Sequence, residues 1–143
     1  MTRIIVDGYN AIRRIPRLIE AESEGLEQGR VALLMALEEY GSKTGFDITV
    51  VFDAGGRPAD DALGGMEKFA GVDVIYSERG RSADMEIERI LQEHARERFE
   101  DPCDLILATD DLSLKDEALH SGAFCVSQIE LAAAMKSGKR ISY

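Results

Sequence analysis

Arg3-Ile4-Ile5-Val6-Asp7-Gly8-Tyr9-Asn10 is an apolar, β-branched run that stops abruptly on a carboxylate, a glycine and an amide. Such a run reads as a strand covered on both faces. In open parallel sheets the reactive groups gather just beyond the carboxyl ends of strands of this kind. Asp7 is therefore read as a side chain delivered to a site, with Gly8 letting the backbone turn away and Asn10 returning a polar group to the same rim. Asp7-Gly8 would also serve as a simple turn, since both residue types favour turns for backbone reasons, but Tyr9-Asn10 is not usual loop filler.

The same punctuation recurs downstream. Ile48-Thr49-Val50-Val51-Phe52 ends on Asp53, and Leu105-Ile106-Leu107-Ala108 ends on Thr109-Asp110-Asp111. Val72 to Tyr76 and Phe124 to Ser127 give two further strands, five in all. Between them, helical spacing predicts a short helix between Ala11 and Gly25 broken at Pro16. A longer helix follows over Leu26 to Lys43, with the stripe Leu26, Val31, Leu34, Met35 and Leu37 and a stop at Gly45. Ser82 is the expected N-cap of a strong helix to about Phe99, and helices are expected over Leu112 to His120 and Ile129 to Lys136. Residues 55–71, rich in Gly, Asp and Ala, read as a long loop with at most one helical turn. Strands alternating with helices imply parallel pairing, hence an α/β fold, a three-layer α/β/α sandwich around a mainly parallel sheet.

A chain of 143 residues with 45% hydrophobic content suits one domain, residues 1–143, able to fold on its own core. The first strand begins two residues after Met1, leaving no room for a signal peptide, and no run is long enough to span a membrane. The expectation is a soluble, cytoplasmic protein whose two cysteines, Cys103 and Cys125, are reduced and structural. A net charge of −10 argues against a broad basic face gripping nucleic acid. It leaves open an acidic cluster that holds a divalent cation, with a few arginines tracking phosphates, and equally open that the acidity serves only solubility.

Asp7, Asp53 and Asp110-Asp111 end strands of one parallel sheet, and Asp84 opens a helix that should start on the same edge. Hard cations such as Mg²⁺ or Mn²⁺ prefer this all-oxygen chemistry, whereas no cysteine-histidine cluster suggests zinc. Asp84 would also suit the helix dipole alone. Glu88, one turn later, either assists it or is solvated, and Asp53 suits a strand exit as well as a ligand. Of the adjacent pair Asp110 and Asp111, one is expected to face the ion while the other caps the next helix or lies behind it. Arg79 and Arg81, just before the Asp84 helix, are candidate phosphate contacts, with Arg13 and Arg14 weaker ones on the same grounds.

Asp7-Gly8-Tyr9-Asn10, Val51-Phe52-Asp53, Ser82 to Glu88 and Ala108-Thr109-Asp110-Asp111, in this order, resemble the YacP-like NYN-domain proteins, which belong to the PIN-like metal-dependent ribonucleases. The resemblance covers essentially the whole chain. It implies a Rossmann-like PIN fold and an endoribonuclease acting through Mg²⁺ or Mn²⁺. It places metal-binding acids at Asp7, Asp84 and Asp111, with Asn10 as a polar contact to an ion or to RNA. The implied chemistry is hydrolysis of a single-stranded RNA phosphodiester by a metal-activated water, with Arg79, Arg81 and Arg13 on the RNA backbone. Asp110 and Thr109 stand beside the ligands. The chain departs from the pattern at Asp110, where serine or glycine is common, and at Ser113, where many relatives carry another acid. A fourth carboxylate would then come from Asp110 or Asp53, or the site would bind one ion and recruit a second only with RNA.

Two other readings are compatible with such a fold. A receiver-like signalling domain also gathers acids at strand ends, but it would want an acidic pair on the first strand and a lysine ending the last. Here Val6 precedes Asp7, and the fifth strand runs into Ser127-Gln128. A non-catalytic RNA- or ribosome-binding module would explain Ser113.

Overall fold

The computed structural model describes residues 1–53, 65–100 and 102–143. The strands are β1 (Thr2–Asp7), β2 (Asp47–Phe52), β3 (Gly65–Phe69), β4 (Val72–Tyr76), β5 (Asp104–Ala108) and β6 (Phe124–Val126). The helices are α1 (Gly8–Arg14), α2 (Pro16–Glu22), α3 (Leu26–Thr44), α4 (Ala83–Glu97), α5 (Leu112–His120) and α6 (Gln128–Ser137). The strands form one sheet in the order β3-β4-β2-β1-β5-β6, parallel throughout except for β3, which runs antiparallel to β4.

Period-two alternation divides the sheet residues between two cores. Ile4, Val6, Val50, Phe52, Ile106 and Ala108 pack against α1, α2, α3 and α6, while Ile5, Val51, Leu105 and Leu107 pack against α4 and α5. From β1 the chain travels one way through β2 to β4, then α4 carries it back over the sheet to β5 on the other side of β1. The direction of winding therefore reverses at β1 and β5, the place where open α/β sheets leave a crevice beyond their strand ends.

Several expectations from sequence are corrected. Part of the expected loop, residues 65–69, is the edge strand β3, so the sheet has six strands. Its short, Gly-containing sequence pairs antiparallel with β4 through the tight Ala70-Gly71 turn, a local hairpin that apolar alternation does not announce. The remainder of the expected loop, residues 55–64, lies outside the described residues. The broken first helix is two helices separated at Ile15, with Pro16 opening the second, where a missing N–H costs nothing. On α3 the buried face is Gly29, Leu33, Leu34, Leu37 and Tyr40, whereas Leu26, Val31 and Met35 are exposed. Gly29 sets this phase, because a Cβ there would meet Glu22 and Ile12 at 3.0 and 3.2 Å. Gly45 ends α3 in the left-handed conformation, φ 76°, as a C-cap glycine should. Ser127, expected in the last strand, instead caps α6 in a reciprocal box with Glu130.

Candidate active site

Asp7 is the last residue of β1, in register with Val51 of β2, and the next pair along is Val6 with Ala108 of β5. Its side chain is only 7% exposed. Gly8 is not a turn glycine: it is the first residue of α1, and a Cβ on it would lie 2.5 Å from the Phe52 ring and 2.9 Å from the Val51 carbonyl. Only glycine lets α1 start so close to β2, and that start places Asn10 beside the end of β5.

A chain of hydrogen bonds joins the strand ends. Thr109, fully buried, donates its hydroxyl to Asp7 Oδ2 at 2.9 Å and accepts from the Asp111 backbone N–H at 3.1 Å. Asp111 Oδ1 accepts from Leu114 N–H at 3.0 Å and so caps α5. Asp110 donates its backbone N–H to Asn10 Oδ1 at 3.0 Å and turns its carboxylate toward α6, where Oδ2 accepts from Gln128 N–H at 3.4 Å. Asp84 is the second residue of α4, whose N-cap Ser82 accepts from Met85 N–H at 3.3 Å. The preceding turn is pinned by Ser77, which donates its hydroxyl to the Arg81 carbonyl at 2.8 Å.

The electrostatics bring the acids into one neighbourhood. Burial pushes the Asp7 carboxyl up to about 6, the Thr109 hydrogen bond opposes the rise, and the charges of Asp84, Asp111 and Asp110 add to it. Asp84 is also raised, by partial burial and then by Asp111 and Asp53. All five aspartates singled out from the sequence are thus coupled at one sheet edge. Glu88 is not among the charges acting on Asp7 or Asp84. Neither are Arg79 and Arg81, which are exposed in the turn before α4. Arg13 lies over the Tyr9 ring, 5.2 Å from its centroid, and pairs with Glu22 at 3.7 Å, and it is not among the charges acting on Asp7 or Asp84.

Among the described residues, no three acids or histidines are close enough together to hold an ion unaided. The donor set nevertheless fits a hard divalent cation. It is all carboxylate, it is partly buried, and its members destabilise one another's charge. Mg²⁺ keeps several waters and needs only one or two protein carboxylates, so a complete protein cage is not required.

One residue that ties the site together does not stand out in the sequence. Gln128, the first residue of α6, is fully buried and donates Nε2–H to the carbonyls of Ala108 at 2.9 Å and Asp7 at 3.3 Å and to Asn10 Oδ1 at 3.1 Å. The one signal it carries is its place just after the fifth parallel strand ending on this edge.

The sequence profile of the YacP-like NYN domain matches residues 4–142. The chain belongs to the YacP-like NYN family. It is 35% identical over 95 residues to the protein YacP of Bacillus subtilis (strain 168), an alignment covering 64% of this chain and 52% of that one, so the chain spans about half the length of the curated relative. In structure it is similar to Rae1 (YacP) from Bacillus subtilis. A crystal structure of a mutant of that protein gives a TM-score of 0.78 at 27% identity, covering 96% of this chain and 77% of the other. A second Rae1 (YacP) crystal structure gives 0.75 at 25% identity, with 96% and 75% coverage. NYN proteins share the PIN-like fold and are typically nucleases or otherwise RNA-related, and they generally use divalent metals. No helix among the described residues is long and apolar enough to cross a membrane.

Proposed function

We propose that this NYN protein is an endoribonuclease that hydrolyses RNA phosphodiester bonds with Mg²⁺ or Mn²⁺ at the β1/β5 edge. The observation that carries the proposal is Asp7, buried at the winding reversal among Asp84, Asp110 and Asp111 and raised to about 6. Burying like charges together is costly unless something positive is bound there. Asp7, Asp84 and the Asp111 oxygen not used in the cap would hold the cation, with Asp53 and Asp110 adding negative charge. A divalent cation in such a site supplies Lewis-acid charge that acidifies an attacking water and neutralises the phosphodiester.

The chain's own part is positioning. Thr109 orients the Asp7 carboxylate, and the α5 cap fixes Asp111 beside it. Arg79 and Arg81, exposed ahead of α4, would take backbone phosphates of a single-stranded substrate, with Arg13 of α1 as a further contact; Glu88 is left outside the charge cluster. Substituting Asp7→Asn should lower Mn²⁺-dependent cleavage of a single-stranded RNA by roughly 10³-fold, about 4 kcal/mol of barrier, with unchanged circular dichroism. Cleavage at the wild-type rate would remove this mechanism.

A second reading is a non-catalytic RNA- or ribosome-binding module. It draws on Ser113, exposed in the first turn of α5 where an additional carboxylate would otherwise strengthen cation binding. Metal-independent RNA binding by a wild-type protein that cleaves nothing would favour it.

A further inference from the structure

The orientation of two amides at the site is fixed by backbone groups that can only donate or only accept. The Asp110 N–H can only donate, so the Asn10 atom 3.0 Å from it must be the amide oxygen. The Ala108 and Asp7 carbonyls can only accept, so the Gln128 atom 2.9 and 3.3 Å from them must be the amide nitrogen. That nitrogen also reaches Asn10 Oδ1 at 3.1 Å, its two hydrogens serving three acceptors. The arrangement leaves Gln128 Oε1 buried without a partner. A lone buried acceptor costs about 1–3 kcal/mol, yet a flipped amide would set that oxygen against three acceptors at once.

Two consequences follow for Asn10. Both lone pairs of Oδ1 are engaged, by Asp110 N–H and by Gln128 Nε2–H, so this oxygen is not free for a cation. The other half of the amide, Nδ2, has no hydrogen-bond partner among the described residues, although Asn10 is half-buried rather than fully so and sits three residues from Asp7. A donor held at the rim of a carboxylate cluster is of no use to the carboxylates' cation, but it suits an anion brought there.

We propose that Asn10 is a substrate-binding residue that donates Nδ2–H to a non-bridging oxygen of the RNA phosphodiester, and that Gln128 is the positioning residue that locks its amide in that orientation. This rests on the nuclease reading above. It assigns the two halves of the site separate tasks: the aspartates hold the cation, and Asn10 holds the phosphate.

The experiment measures kcat and KM for Mn²⁺-dependent cleavage of a single-stranded RNA oligonucleotide, alongside Mn²⁺ binding by calorimetry. Asn10→Ala should lower kcat/KM roughly 10- to 100-fold, the worth of a hydrogen bond to a charged group, with Mn²⁺ affinity unchanged. Asn10→Asp keeps the accepting oxygen and replaces the donor by a charge, so cleavage should fall at least as far while Mn²⁺ binds as tightly or more so. Gln128→Met should lower kcat/KM several-fold on the wild-type background and have no further effect in Asn10→Ala, because its role runs through Asn10. A weaker Mn²⁺ site in Asn10→Ala, or wild-type kcat/KM in Asn10→Asp, would overturn the role of Asn10. An equal loss from Gln128→Met on both backgrounds would overturn that of Gln128 and leave it a structural residue. If the wild-type protein binds Mn²⁺ but neither binds nor cleaves RNA, the nuclease reading fails and this assignment fails with it; a wild type that cleaves, with variants that cleave equally, sinks the assignment alone.

Discussion

Asp104 begins β5 and Asp110 follows its end; Asp47 begins β2 and Asp53 follows its end. The same strands therefore carry aspartates at both edges of the sheet, in different company. At the starting edge, Asp104 Oδ2 accepts from the Tyr143 hydroxyl at 2.7 Å in an exposed setting, and Asp73, in β4, pairs with Lys68 at 2.8 Å. At the finishing edge Asp7, Asp110 and Asp111 act on one another, and the hydrogen bonds these three accept come from a threonine hydroxyl and from backbone N–H groups that fix their orientation. Residue type and strand position alone do not mark a site. What sets the finishing edge apart is one buried carboxylate, Asp7, with like charges around it, the combination that functional sites concentrate.

The contrast is broken most forcefully by neutralising one aspartate at each edge. Asp7→Asn carries the roughly 10³-fold loss of cleavage argued above, whereas Asp104→Asn, which removes a charge from an exposed hydrogen-bond acceptor at the other edge, should cleave at the wild-type rate. Equal losses would mean that position along the strand is irrelevant to activity.

Next in size is an effect on stability of opposite sign. In the folded, metal-free protein Asp7 holds its proton up to about pH 6, and in the unfolded chain only to about its ordinary 3.8. Between those values the folded state binds more protons, so stability falls as pH rises. The contribution is full below 3.8 and lost on passing 6, an amount of about 3 kcal/mol for a shift of this size. Asp7→Asn removes the loss, so at pH 8 without metal the inactive variant should be the more stable in urea unfolding, by up to that amount. Adding Mn²⁺ should stabilise the wild type and not the variant. A variant less stable than wild type at pH 8 would mean that the carboxylate is not penalised in the fold.

Thr109→Val tests the same carboxylate through its neighbour. Valine keeps the shape but removes both the donor to Asp7 and the acceptor for the Asp111 N–H. The expected cost is about 1–3 kcal/mol in urea unfolding. Because the lost hydrogen bond favours the ionised form, the Asp7 carboxyl should also titrate above 6, which carboxyl-carbon NMR would read.

Much of this edge is legible in the amino-acid sequence, and the reason is local. An apolar β-branched run that ends on an acid needs no distant information, so Asp7, Asp53 and the Asp110-Asp111 pair stand out, as does Asp84 behind its Ser82 cap. The parallel order follows from alternation of strands and helices. What is not legible depends on contacts across the chain. β3 forms because β4 offers an edge, not because its own sequence alternates. Gly8 is required by the Phe52 ring, 44 positions away in sequence, rather than by its own dihedral angles. Gln128 meets Asp7 and Asn10 only after β6 has docked beside β5, and a glutamine opening a helix carries no mark of that. The roles of the two adjacent aspartates also divide by geometry that sequence leaves open, Asp111 capping α5 and Asp110 turning to α6.

The smallest effect compares two helix caps. Asp111 caps α5 by accepting from Leu114 N–H at 3.0 Å, and Ser127 caps α6 by accepting from Glu130 N–H at 3.1 Å, with Glu130 reaching back to the Ser127 N–H at 2.8 Å. By geometry alone the two are equivalent, and losing either should cost about 1 kcal/mol of stability. Their electrostatic settings differ. Asp111 is one of the charges acting on both Asp7 and Asp84, so its cap bond also fixes a carboxylate oxygen at the site, while Ser127 brings no charge to it. Asp111→Ala should therefore lose cleavage together with its cap, and Asp111→Ser, which restores a capping oxygen without the charge, should recover most of the stability and none of the activity. Ser127→Ala should lose a similar amount of stability and keep cleavage. Activity that returned with Asp111→Ser would show that this position serves α5 alone, and would leave the cation to Asp7 and Asp84.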